Sequence, residues 1–289
     1  MIRLTTSILV YNRHNKKKIK HLISKLASSL KKEVNKLRMD ISKKNVDEEN
    51  IKLLERNSDE WWDASNVLHS MNFLRVPFII DNLISTGMIK PKDRNKPDVL
   101  KGLKILDVGC GAGILSEALA KLKANVTGLE PAPKLIEVAE NHLQGQSLDI
   151  KYLPELIEDF AINNFEKYDA VVASEVVEHV PDKLSLLIGM AKCVKPKGSI
   201  IITTPNRSIV SWIATELAVL FKVFPKGTHD WNQFITPSEV SEILRNEDCR
   251  TSLVRGIWYT PILDKFNFIP YQGIHYALHA VKEDFKKEK

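Results

Sequence analysis

Residues 104–131 read KILDVGCGAGILSEALAKLKANVTGLEP, and this stretch decides the fold. Its first five residues form a short apolar run bounded by glycine, which is typical of a buried parallel strand. Gly109, Gly111 and Gly113 follow directly, and glycine lets a turn adopt positive φ, so that the backbone can approach a ligand closely. The apolar spacing of residues 114–122 then predicts a helix. Strand, glycine turn and helix together indicate the start of an α/β nucleotide-binding unit.

A second strand is predicted over residues 125–129, and it ends at Glu130. An acid about 20 residues beyond the first glycine can accept hydrogen bonds from ribose hydroxyls. A dinucleotide site favours the pattern G-x-G-x-x-G, whereas position 114 is Ile. The tight G-x-G-x-G spacing after Asp107 resembles instead the first motif of class I S-adenosylmethionine-dependent methyltransferases. The remaining alternative is a packing turn in another α/β protein.

Further strands are predicted over residues 150–153, 168–173, 199–204, 249–258 and 276–281, with helices over 134–143 and 183–194. Strands that alternate with helices predict an open, mostly parallel sheet. We expect three regions in the chain. Residues 1–45 form a mobile basic leader, residues 46–100 an N-terminal helical cap, and residues 101–289 the cofactor-binding domain.

The charge is divided unevenly along the chain. Residues 1–45 carry 13 Lys and Arg but only two acids, whereas the rest carries 29 basic and 34 acidic side chains. The body is therefore mildly acidic, which argues against nucleic acid as a partner. Residues 1–32 contain no Asp or Glu, which is typical of a mitochondrial transit peptide. A disordered basic tail and a surface helix are the alternatives. Three widely spaced cysteines indicate neither a disulfide framework nor a zinc ribbon.

A second group of polar residues follows the strand predicted at 168–173, in the sequence Ser174-Glu175-Val176-Val177-Glu178-His179. Residues just beyond the carboxyl end of a parallel strand face the ligand crevice. Spacings of three and four would bring Glu175, Glu178 and His179 to one face of a helical turn. Two carboxylates and an imidazole can hold a divalent cation such as Mg²⁺. A solvated acidic turn is an alternative, as is His179 acting as a general base without metal.

Residues 208–224 form an apolar segment with Glu216 and Lys222 as its only charges. The segment is short and interrupted for a membrane span. A buried helix, a wall for a lipid-like substrate and a helix at a bilayer surface are all compatible with its composition.

Six motifs in this order resemble those of the ubiquinone biosynthesis O-methyltransferases. They are WWD at 61–63, LHSMNFLR ending at Arg75, LDVGCGAGIL, VTGLEP, SEVVEHV and PKGTHDW. The resemblance runs from about residue 58 to the C-terminus. Of these motifs, PKGTH and the E-x-x-E-H turn are the most specific to this family. The resemblance implies an α/β, Rossmann-like class I methyltransferase with a seven-stranded, mostly parallel sheet, the last strand antiparallel, and helices on both faces.

The resemblance also implies roles for individual residues. S-adenosylmethionine would be bound by Arg75, Gly109, Glu130 and Ser174. Mg²⁺ would be bound by Glu175, Glu178 and His179, with His179 also a candidate catalytic proton acceptor. The family more often has Asp where this chain has Glu130. A carboxylate for the ribose contact is therefore kept, on a side chain that is one methylene longer.

The activity implied is methylation of ring hydroxyls of 3,4-dihydroxy-5-polyprenylbenzoate and demethylubiquinol. The expected setting is the matrix side of the mitochondrial inner membrane, with peripheral attachment, a polyprenylated catechol substrate and membership of a multi-subunit ubiquinone biosynthesis complex. The alternatives are a methyltransferase for another small phenolic acceptor and a non-catalytic scaffold subunit of a membrane-bound complex.

Overall fold

The computed structural model describes residues 48–56, 58–212 and 231–284. In these ranges the chain forms one eight-stranded sheet with the order β3-β2-β1-β4-β5-β8-β6-β7. The strands are β1 (Lys104–Val108), β2 (Asn125–Leu129), β3 (Ile150–Leu153), β4 (Tyr168–Ser174), β5 (Val194–Pro205), β6 (Cys249–Thr260), β7 (Lys265–Ile269) and β8 (His275–Lys282).

Strands β1 to β5 are mutually parallel, with Ile105 opposite Val126 on β2 and Ala170 on β4. β8 is inserted between β5 and β6 and runs antiparallel to both. The class I methyltransferase fold is thus confirmed, with a mostly parallel sheet whose last strand is antiparallel.

The predicted count of seven strands is one short. The additional strand is β7, which pairs antiparallel with β6 and forms an edge of the sheet. It follows a tight turn in which Asp264 has a φ of 43°. Phe268 on β7 lies 5.1 Å from the ring of Phe78 on the N-terminal side of the chain. This aromatic contact joins distant parts of the chain, and the local sequence does not reveal it.

Seven α-helices accompany the sheet in the described ranges. They are α1 (Glu48–Arg56), α2 (Val67–Ser85), α3 (Ile114–Lys121), α4 (Pro133–Leu143), α5 (Ile157–Phe160), α6 (Lys183–Cys193) and α7 (Pro237–Asn246). Asn66 caps α2 by accepting a hydrogen bond from the Leu68 amide. Thr236 and Glu239 form a reciprocal capping box on α7, the pattern that satisfies two otherwise free amides at a helix start.

Two apolar layers cover the faces of the sheet, because neighbouring residues of a strand point to opposite sides. Leu106 packs in the layer that includes residues of α6 and α7. Ile105 packs in the layer that includes Leu83 of α2 and Leu119 of α3. Helices therefore lie on both faces, as expected. The region predicted as a helical cap contributes α2 directly to this second layer.

Several predictions lie outside the described residues. These are the leader at 1–45, residues 213–224 of the apolar segment, residues 225–230 of the PKGTHDW motif and the charged end at 285–289. In the part of the chain that is described, no helix is both long and apolar enough to pass through a bilayer.

Candidate functional site

The glycine turn joins β1 to α3 in a backbone conformation that other residues rarely adopt. Gly109 has a φ of 66° and Gly111 a φ of 54°. A Cβ atom at Gly109 would lie 2.5 Å from Cγ2 of Val176, closer than atoms can approach. Glycine is needed here both for its positive φ and because the chain after β4 passes directly over the turn.

A cavity of about 60 Å³ lies beside this turn, at the carboxyl ends of β1 and β4. Its lining includes three of the four predicted cofactor-binding residues, Arg75, Gly109 and Ser174. Asp107 and Glu175 also line it. The crevice beyond the carboxyl ends of parallel strands is where open α/β sheets bind ligands. Residues 99 positions apart in sequence, Arg75 and Ser174, are thus brought together, although their roles in binding remain predictions.

Arg75 is a buried cation, with 4% of its surface exposed. Its guanidinium donates hydrogen bonds to three neutral oxygens, Oδ1 of Asn72 at 2.7 Å, Oγ of Ser174 at 2.9 Å and the carbonyl of Leu68 at 3.4 Å. Burial lowers its pKa to about 10, with Asp107 and Glu175 opposing the shift, so the side chain still carries its charge at neutral pH. A buried cation held by neutral partners is well suited to bind a ligand carboxylate.

A chain of hydrogen bonds extends from Arg75 along the edge of the sheet. Oγ of Ser174 lies 2.8 Å from Oγ1 of Thr203, which donates to Oε1 of Glu175 at 2.7 Å. Nε2 of His275 lies 2.9 Å from the same carboxylate oxygen. Burial alone would raise the pKa of Glu175, but His275 and Thr203 outweigh it and the pKa is lowered. Glu175 is therefore an anion near neutral pH, fixed in place by β5 and β8.

Glu130 lies at the end of β2, next to the glycine turn but outside the lining of the cavity. Its Oε2 accepts from the amide of Gly111 at 3.1 Å and its Oε1 from the amide of Ala132 at 3.0 Å. Burial raises its pKa to about 7, and the two amide hydrogen bonds only partly offset this. An ionised carboxylate has about four acceptor positions, so two remain available for the hydroxyls of a ribose.

The three predicted metal ligands do not lie on one helical turn. Glu175 has a φ of 61°, and a short 3₁₀ turn, Val177–His179, follows it. Glu175 is turned toward His275 and Thr203, whereas Glu178 is buried and accepts from Oγ1 of Thr204 at 2.8 Å. Within the described ranges, no group of three His, Cys, Asp or Glu side chains is placed to hold a metal ion. The assembled three-residue site expected from the spacing is therefore not observed.

The chemistry of Glu178 nevertheless fits a cation. Its Oε1 atom is buried and accepts no hydrogen bond within the described structure. Burial and the charge of Glu175 raise its pKa well above the usual range. Nε2 of His179 lies 4.0 Å from this oxygen. A divalent cation would offset both the burial of the carboxylate and its repulsion from Glu175.

Sequence reasoning missed Thr203 and His275, which hold Glu175, and Trp61, which lines the cavity. Thr203 lies near the end of a predicted strand and could have been noticed by its position beside β4. His275 starts β8, and its proximity depends on the insertion of β8 next to β5, which has no local signal.

Comparison with known proteins identifies the family. A family model for a methyltransferase domain matches residues 106–202. The ubiquinone biosynthesis O-methyltransferase of Proteus mirabilis is 35% identical over 245 residues, which cover 83% of this chain and 94% of the relative. The chain belongs to the ubiquinone biosynthesis O-methyltransferase family. The mitochondrial member from Bos taurus is 37% identical over 261 residues, covering 86% of this chain and 68% of the relative.

Solved structures agree on the fold. The magnesium protoporphyrin IX methyltransferase of Synechocystis, solved with bound SAM, has a TM-score of 0.50 at 16% identity and covers 81% of this chain and 97% of that one. A Haloferax volcanii methyltransferase in complex with its Trm112 activator has a TM-score of 0.53 at 13% identity, covering 80% and 98%. Family membership makes this chain an O-methyltransferase enzyme, and its fold is the one that these methyltransferases share.

Proposed function

We propose that this O-methyltransferase methylates ring hydroxyls of polyprenylated catechols in ubiquinone synthesis. The acceptors would be 3,4-dihydroxy-5-polyprenylbenzoate and demethylubiquinol. The observation that carries the proposal is the meeting of Arg75, Gly109 and Ser174 around one cavity at the carboxyl edge of the sheet, in a chain of this family.

The donor end of the cavity supports S-adenosylmethionine. The buried guanidinium of Arg75 would form a charge-assisted pair with the methionine carboxylate. Glu130 would accept hydrogen bonds from the ribose, and the turn at Gly109 allows the backbone to approach the ligand. Fixing the sulfonium in this way leaves the reaction largely a matter of aligning an acceptor oxygen with the methyl carbon.

The acceptor must lose a proton as the new bond forms. A phenol has a pKa of about 10 and is a weak nucleophile at neutral pH. The oxygen–carbon bond forms as the sulfur–carbon bond breaks, which yields S-adenosylhomocysteine, the methyl ether and a proton. We assign the acceptance of that proton to His179, whose side chain is 24% exposed and lies next to buried Glu178.

The proposal includes Mg²⁺, held by Glu178 and His179 together with Glu175. The unpartnered Oε1 of Glu178 supports it, and Glu175 would have to give up its contact with His275 or share it. When bound, the ion would stabilise the ionised form of the acceptor hydroxyl. A Glu175→Ala, Glu178→Ala double variant is expected to bind S-adenosylmethionine but to lose methylation. Full activity in this variant, or in excess chelator, would remove the metal from the proposal.

The cellular setting is also proposed. Mammalian relatives are described as mitochondrial, and the basic leader fits import into that organelle. Exposed apolar side chains at the described start of the apolar segment, Ile209 at 75% and Trp212 at 48% exposure, support peripheral attachment to the inner membrane. Membership of a multi-subunit complex on the matrix side is part of the same proposal.

Flotation with anionic liposomes should weaken when both Ile209 and Trp212 are changed to Glu. Unchanged flotation of that folded variant would contradict attachment through this segment.

The deciding experiment is an assay of the purified chain with each of the two catechols, with and without Mg²⁺. Products are identified by mass spectrometry. Transfer of one methyl group to either catechol is expected. Turnover of a simple phenol but of neither polyprenyl catechol would favour a different small phenolic acceptor. Binding of S-adenosylmethionine without any turnover would favour the scaffold alternative.

A further inference from the structure

Two adjacent tryptophans lie directly over the glycine turn. Trp61 lines the cavity beside Arg75 and Gly109. A Cβ atom at Gly111 would lie 2.4 Å from Cζ3 of the Trp61 ring and 2.7 Å from its Cη2. The indole therefore rests on the backbone of the turn, at a place where a larger residue than glycine would displace it.

The cavity is too small for the methyl donor while Trp61 occupies this position. Its volume is about 60 Å³, whereas sites for small molecules and cofactors usually measure roughly 300–1,000 Å³. Some part of the wall must move before a nucleoside linked to an amino acid can enter. Arg75 and Asp107 are fixed by burial and by hydrogen bonds within the fold. Trp61 is only partly buried and lies in a segment of turns, residues 58–66, and these two features favour it as the part of the wall that moves.

The segment 58–66, which we call the tryptophan segment, is fastened at two residues that follow Trp61, namely Trp62 and Asn66. Nε1 of Trp62 donates to the carbonyl of Ala112 at 3.0 Å, and the Trp62 ring stacks on His142 with 3.4 Å between centroids and an angle of 6°. Asn66 donates to the carbonyl of Trp61 at 3.0 Å and also caps α2. The contacts on the Trp62 side join the segment to the glycine turn and to α4. Those on the Asn66 side join it to a long, buried helix.

We propose that Trp61 is a cofactor-binding residue and that the tryptophan segment is a lid over the methionine end of the S-adenosylmethionine site. The inference rests on the proposed cofactor site at Arg75 and Gly109. The lid opens by release of the Trp62 contacts, with Asn66 as the fixed end, and closes with the Trp61 indole against the bound ligand. Closure removes water from around the sulfonium, and contact with the indole slows release of the ligand.

The test measures S-adenosylmethionine binding to the full chain by titration calorimetry and its dissociation rate by stopped-flow displacement. Trp61→Ala is expected to raise the dissociation constant about tenfold or more, mainly through faster dissociation. Trp61→Phe should recover most of the affinity, because a ring still covers the site. Trp62→Ala, which leaves Trp61 in place, should speed both association and dissociation. Trp258→Ala is the matched control, since Trp258 is 47% exposed on β6 and lies outside the cavity lining.

Hydrogen exchange gives an independent readout that does not depend on a variant folding well. Amides of residues 60–66 should become protected when S-adenosylhomocysteine is added to the unmodified chain. A Trp61→Ala variant with a dissociation constant within twofold of the unmodified chain would overturn the proposal, as would unchanged exchange in this segment at saturating ligand. If the unmodified chain binds neither ligand, the failure lies with the proposed cofactor site and not with the lid alone.

Discussion

We predict that Glu130, as the proposed ribose-binding residue, makes the affinity for S-adenosylmethionine dependent on pH near neutrality. Burial raises the pKa of its carboxyl group to about 7. Ribose hydroxyls donate their hydrogen bonds best to the ionised form, so binding must remove the proton where one is present. In the unliganded protein the ionised fraction rises from about one tenth at pH 6 to about nine tenths at pH 8, given a pKa near 7.

The size of the effect follows from this fraction. If the bound carboxyl has a pKa well below its unliganded value, the dissociation constant falls about tenfold between pH 6 and pH 8, or about 1.4 kcal/mol. The direction of the pH effect is fixed because the Glu130 carboxyl must lose its proton for the ligand to bind. The affinity therefore rises with pH and levels off above the pKa of that carboxyl. Asp107, whose pKa burial raises to about 6, would add to the trend mainly at the acidic end.

Titration calorimetry across this pH range provides the assay, with buffers of different ionisation enthalpy to count the protons released. Glu130→Gln is the matched variant, which should bind more weakly and lose most of the pH dependence. Adenosine, which has the ribose but lacks the titratable α-amino group of the methionine part, should show the same trend in the unmodified chain. A dissociation constant that is flat in pH, or an equal slope in Glu130→Gln, would refute the reasoning.

Three other changes have outcomes set by the structure. Arg75→Met should weaken S-adenosylmethionine binding by roughly 1.5–3 kcal/mol, measured by titration calorimetry, through loss of a charged hydrogen-bond partner. Unchanged binding in a folded variant would show that Arg75 is mainly structural. Gly109→Ala should abolish measurable cofactor binding, since its Cβ would meet Val176 at 2.5 Å. The control Gly145→Ala, also at positive φ but with open space around it, should retain binding. Equal cofactor binding by the two variants would contradict the prediction. Leu119→Ala, at a fully buried position, should lower the free energy of unfolding by about 2–5 kcal/mol in urea titrations. The control Leu184→Ala, at an exposed position, should lower it by less than about 0.5 kcal/mol. Similar values for the two variants would count against the assigned core.

The parallel half of the sheet was predictable because its signals are local. β1, β2 and β3 occupy the residues expected from short apolar runs between turn residues, and the glycine turn lies where its spacing placed it. Such runs have few alternatives once helices alternate with them. β7 was missed, and its contact between Phe268 and Phe78 joins distant parts of the chain and therefore has no local signal.

The candidate site was predictable in its residues and less so in its geometry. Arg75 and Ser174 could be named from motifs, and the fold places them 2.9 Å apart. The positive φ of Glu175 could not be foreseen, because a non-glycine residue in that conformation is uncommon and is held there by its surroundings. Its partner His275 comes from the far end of the chain, so the direction of the Glu175 side chain depends on strand order.

The position of β8 also has a consequence for how this protein is made. β5 leaves the ribosome long before β8, and until residues 275–282 appear both β5 and β6 have an unpaired edge where β8 will lie. Such edges are sites of incorrect pairing with other chains. The partly made protein is therefore expected to need a chaperone until its last strand is synthesised, and a truncation before His275 should aggregate even though the residues named for the cofactor are all present.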